Sequence, residues 1–102
     1  MENKKDDILL INLIKMLEMT ARSGLGQMEH PVSKKREVNL DQAKINIDMI
    51  EMLKRKTSPS NSDDINKYLK ELVSNLQMAY LDVSNKKGDN SEEKEEEGKE
   101  DQ

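Results

Sequence analysis

"VNLDQAKINIDMIEMLKRKT", residues Val38 to Thr57, decides the fold. Asn39 is suited to accept the free amides of a helix start, and Gln42 stands at the capping-box position three residues on. Lys54, Arg55 and Lys56 complement the negative end of the same helix. Yet its apolar residues do not lie on one side. At about 100° per residue, Leu40, Ala43, Ile47 and Ile50 form one stripe. Ile45, Met49, Met52 and Leu53 form a second, roughly opposite. On one flank between them lie Asp41, Lys44, Asp48, Glu51 and Arg55, a wet face with Lys44–Asp48 and Glu51–Arg55 spaced as i,i+4 pairs. A helix with two apolar sides and one wet side sits between two layers.

Outward from that stretch, two more helices are legible. One starts near Asp6 or Asp7, where acids suit a helix start, and runs to about Ser23. The glycines of "SGLG" supply its exit and Pro31 prevents continuation. The other starts near Asn61 or Ser62, after the loop "SPSNS", carries Asp63 and Asp64 in its first turn, and runs to about Val83. No stretch combines β-branched richness with strict alternation, so no strand is expected. The fold class expected is all-α: a small three-helix bundle with helices over about 7–23, 39–56 and 62–83.

The charge divides the chain. Residues 84–102 hold eight acids and four lysines and so carry the whole formal net charge of −4, while residues 1–83 balance at 13 acids and 13 bases. The segment "SNKKGDNSEEKEEEGKEDQ" has no aliphatic or aromatic side chain with which to offset its ordering entropy. A helical domain over 1–83 and a disordered acidic tail over 84–102 are therefore expected.

The third helix has one stripe to offer: Ile65, Leu69, Leu72, Val73, Leu76, Ala79, Tyr80 and Val83. The first is apolar over about half its circumference, through Leu9, Leu10, Leu13, Ile14, Met16, Leu17, Ala21 and Leu25. Helices one and three could flank helix two and cover both its stripes in a monomer. The surplus on helix one argues instead for a second copy, since a large apolar side chain left wet forgoes about 1.5–3 kcal/mol. A homodimer is the expected state, as the commonest closed form. The expected self-association residues are Ile45, Met49, Met52 and Leu53 with Leu10, Ile14 and Leu17. An unknown protein partner remains open.

Several functions are disfavoured. Hydrophobic residues make up 33% and charged residues 37%, with two Tyr and neither Phe nor Trp, so the core must be aliphatic and built in part from the seven Met. No cysteine is present, which rules out thiolate metal sites and disulfides. The longest apolar run, Ile8 to Ile14, is broken by Asn12 and is far short of the roughly 20 residues that span a bilayer. A soluble cytoplasmic protein without membrane contact is expected. His30, the single histidine, lies in a polar linker, and the carboxylates Asp48 and Glu51 lie beside Lys44 and Arg55 on a wet face. Neither offers the burial or like-charge crowding that acid–base chemistry needs. "GLGQME" lacks the third glycine and preceding strand of a dinucleotide fingerprint and reads as a helix terminus. No catalytic residue, metal ligand or cofactor is expected. Lys34–Arg36 and Lys54–Lys56 are basic clusters at opposite ends of helix two, without stacking aromatics beside them. They support only a weak nucleic-acid-binding alternative. The expectation is a non-enzymatic, self-associating interaction or assembly module.

"NLDQAK", Ile47–Asp48 and "MLKRKT" together resemble the central motif of a bacterial family of uncharacterised helical proteins, domain of unknown function 1844. "ARSGLG" before a proline and "LQMAYLDV" are similar to its flanking segments, so the resemblance covers roughly Leu9 to Val83. The loop "SPSNSDD" and Gln77 depart from the family pattern of a Gly-Asn-Leu-Thr type of turn and an arginine. The resemblance implies a small all-helical bacterial cytoplasmic domain and carries no activity with it.

Overall fold

The structure, a computed structural model, describes residues 4–30 and 32–94, with side chains as far as Lys86. Three α-helices make up the fold: α1 Lys4–Gly24, α2 Leu40–Thr57 and α3 Asp63–Lys94, with a 3-10 turn Ser58–Ser60 between the last two. No strand occurs among the described residues; Leu25 and Val38 form one isolated antiparallel bridge.

The two glycines of "SGLG" have different roles. Gly24 is the last residue of α1 and permits a close approach to α2. A Cβ there would stand 2.7 Å from the Asn39 carbonyl oxygen and 2.9 Å from the Ala43 nitrogen. Gly26 ends the helix. It adopts φ +80°, and its N–H donates to the Ser23 carbonyl while the Gln27 N–H donates to the Arg22 carbonyl. That pair of bonds is the Schellman ending, which needs a residue in the left-handed region.

Asn39 caps α2 with its side-chain oxygen, which accepts the Gln42 N–H at 3.0 Å. The reciprocal half of the expected capping box is not used. The Asn39 N–H donates instead to the Gly24 carbonyl at 2.7 Å, joining the end of α1 to the start of α2. The two helices also pack along each other from that junction and so run antiparallel. At the other end of α2, Asn61 donates to the Thr57 hydroxyl and to Asn66, whose own amide donates to the Ser58 carbonyl. Side chains thus hold the turn into α3, and Ser62 caps the new helix by accepting the Ile65 N–H.

The core is aliphatic. Ile14, Ala21 and Leu25 meet Ala43, Ile47 and Ile50 of α2 and Leu69, Leu72, Val73 and Leu76 of α3. Leu10, Leu17, Leu40, Leu53, Ile65, Tyr68, Ala79, Tyr80 and Val83 are partly buried against it. Helix α2 is the central element, packed by α1 and by α3.

Helix α3 runs past Val83, its expected end, to Lys94. No proline occurs there, and a helix already nucleated by packing gains one backbone bond for each residue added. Lys86 pairs with Asp82 one turn back at 3.6 Å. The rest of the acidic tail, residues 95–102, lies outside the described residues.

Candidate interaction face

Both α1 and α3 pack on α2, yet they do not cover both its stripes. Ala43, against Gly24, marks the side of α2 turned to α1. Ile47 marks the side turned to α3: with Lys44 and Asp48 it lines a surface pocket of about 280 Å³ shared with Gln77, Tyr80 and Leu81 of α3. Both sides belong to the first stripe. At about 100° per residue, Met49 lies beyond the α1 side, turned away from α3, and Ile45 and Met52 lie farther round on the same stripe, toward the wet flank. Ile45 is 59% exposed and Met49 36%. Met52 is half-buried, and Leu53 turns toward the core.

Helix α1 behaves in the same way. Its α3 side is marked by Lys15, whose Nζ stands 5.9 Å from the centre of the Tyr68 ring. Its α2 side carries Leu10, Leu17, Ala21 and Gly24. Leu9, Leu13 and Met16 lie round the other way, at 56%, 43% and 65% exposure. Because α1 and α2 are antiparallel, these two exposed stripes open on one common face of the helix pair, opposite α3. Counting equal rises from the Gly24–Ala43 contact brings Met16 level with Met49 and Met52. Leu9 and Leu13 extend the band toward one end and Ile45 toward the other.

The expected self-association residues thus divide. Ile45, Met49 and Met52 lie on this open face. Leu10, Leu17 and Leu53 are partly buried against the core, and Ile14 is fully buried in it, with no surface left for a second copy. Leu9, Leu13 and Met16 were counted in the apolar half of helix one but not assigned to the face. The signal for them was Ala21 and Gly24, one turn apart: small residues identify the side of α1 that approaches another backbone. The methionines also differ from the expected core filling. Met16, Met19 and Met49 are exposed because each lies on a side that no other helix covers.

The polar features are local. Lys44 and Asp48 pair at 2.9 Å on the wet flank, and the Asp48 carboxylate raises the Lys44 ammonium above its usual value, first by hydrogen bonding and then by charge. The Glu51–Arg55 pair is not formed among the described residues. His30 organises its own turn. Its Nδ1 accepts the Val32 N–H at 3.0 Å, its N–H donates to the Lys35 carbonyl, and its carbonyl accepts the Lys34 N–H. Arg36 of the first basic cluster donates to the Gln27 carbonyl, and the second cluster lies at the far end of α2, roughly 25 Å away by helical rise. Among the described residues, no group of three or more His, Cys, Asp or Glu is placed to hold a metal ion. Nor is any helix among them long and apolar enough to cross a membrane.

These features define a small all-helical protein built on an antiparallel helix pair, with one face packed by the third helix and the other open. Residues 7–82 match the model of a family described as Domain of unknown function (DUF1844), and the chain belongs to that family. No curated protein and no solved structure matches it.

Proposed function

We propose that this protein is a non-enzymatic assembly module that self-associates through the open α1/α2 face, as a homodimer. One observation carries the reading: Leu9, Leu13, Met16, Ile45 and Met49 are all exposed, and all lie on the same side of one helix pair. At those exposures the patch amounts to something on the order of 500 Å², in the range of the largest apolar patches on single chains, which are often functional. A second copy is the favoured occupant because a single patch then suffices for a closed, two-fold contact. Four helices, two from each chain, would enclose the face, and each α3 would stay outside. The neutral balance of residues 1–83 sets no repulsion against a like chain.

The test is sedimentation equilibrium of the full chain over a concentration series, with the double variant Met16→Glu, Ile45→Glu in parallel. The wild-type mass should rise toward that of a dimer, and the variant should stay a folded monomer by circular dichroism. A wild-type chain that is monomeric at every concentration overturns the proposal, as does a variant that associates equally well.

A further inference from the structure

The open face is rich in one kind of atom. Two of the chain's seven methionines, Met16 and Met49, are exposed on it, Met52 lies half-buried at the same level, and the chain has no cysteine. Its sulfur chemistry is therefore thioether chemistry. Building on the self-association reading, we propose that the face is a redox-sensitive contact: hydrogen peroxide converts Met16, Met49 and Met52 to sulfoxides, and the sulfoxides keep the chains apart.

The step balances simply. The thioether sulfur takes one oxygen as the O–O bond breaks, and the other oxygen leaves as water. The two electrons lost by sulfur reduce the peroxide. Each product carries a strongly polar S=O group in place of a soft apolar atom. The neighbouring Leu9, Leu13 and Ile45 offer that oxygen no donor, so burying it against a second copy leaves it unsatisfied. None of the three methionines belongs to the buried core or packs directly against it, so oxidation leaves the α1/α2/α3 core in place. Association protects these sulfurs, so peroxide reacts with the dissociated chain and holds it dissociated.

Met78 supplies an internal control. It is 65% exposed, as Met16 is, but it lies on the outer side of α3, off the face. The experiment treats the full chain with hydrogen peroxide below and above the concentration at which it associates. Peptide mass mapping then follows each methionine. Met16 should oxidise several-fold more slowly in the concentrated sample, and Met78 at the same rate in both. The oxidised chain should sediment as a folded monomer and regain association after treatment with methionine sulfoxide reductases and a dithiol. The triple variant Met16→Leu, Met49→Leu, Met52→Leu should associate and ignore peroxide.

Oxidised wild type that still associates overturns the switch, and so does a triple variant equally sensitive to peroxide. In both cases self-association itself survives. An untreated chain that never associates removes the self-association reading first, and the switch with it.

Discussion

The two stripes of α2 are built from similar aliphatic residues and meet opposite fates. Ala43, Ile47 and Ile50 are buried, whereas Ile45 and Met49 remain exposed on the same helix. Hydrophobicity does not separate them. What separates them is the shape of the neighbours: Gly24 lets the backbone of α1 come against Ala43, and two approaching helices need a small residue at the crossing more than a large one. Once α1 is seated there and α3 beside Ile47, no further helix among the described residues is left for the second stripe. Binary pattern alone therefore tells how many sides a helix can bury, while small residues tell which side its own chain uses.

The largest expected effect lies in exchanging equivalent truncations between the stripes. Ile50→Ala removes a fully buried side chain and should lose about 2–5 kcal/mol in urea denaturation at any protein concentration. Ile45→Ala, the same change on the open stripe, should lose less than about 1 kcal/mol in dilute solution. Equal losses in dilute solution would mean that a single chain buries both stripes, and the comparison would collapse.

Gly24→Ala probes the crossing itself. A glycine-to-alanine change within a helix usually gains about 0.5–1 kcal/mol. Here the new methyl meets backbone at 2.7 and 2.9 Å, so a loss of about 1–3 kcal/mol is expected, read as a lower thermal midpoint. A gain would show that α1 and α2 can separate at no penalty. The cap of α2 gives a smaller effect. Asn39→Ala should lose about 1 kcal/mol, whereas Gln42→Ala should lose only a few tenths, because the Asn39 N–H is already taken by Gly24.

Much of this was legible beforehand, for definite reasons. Asn39 and the "SGLG" exit fix the ends of helices by local chemistry, which a sequence displays directly. The stripe from Ile65 to Val83 is continuous and single, so it could pack only one way. The division of helix one was not legible from its apolar pattern, since Leu9, Leu10, Leu13 and Ile14 are alike in composition. Which of them face inward depends on where both α2 and α3 lie, a long-range fact of which Ala21 and Gly24 mark only the α2 side. The role of His30 was hidden for the opposite reason: its ring accepts main-chain amides two and three residues on, a use that needs no partner motif. The extension of α3 to Lys94 escaped because composition weighs burial and omits helix propagation.

The smallest effect belongs to the wet flank that separates the stripes. Lys44 and Asp48 make the best-formed ion pair on it, but more than half of each side chain is exposed. Such pairs contribute little when water and salt reach both partners. The sign of its pH dependence follows from the direction of the shift. The Lys44 ammonium is raised above its usual 10.5 by Asp48, so whatever it contributes is fully present below that value and is lost as the pH rises through the folded-state value. Between about pH 6 and 9 this lysine should add no slope to the stability curve. Lys44→Gln should accordingly leave the thermal midpoint at neutral pH unchanged within experimental scatter. A clear drop would move the division between the stripes. It would mean that the lysine stem covering Ile47 beside Tyr80 belongs to the packing of α2 on α3, and that the flank is part of the core rather than the boundary between two apolar sides.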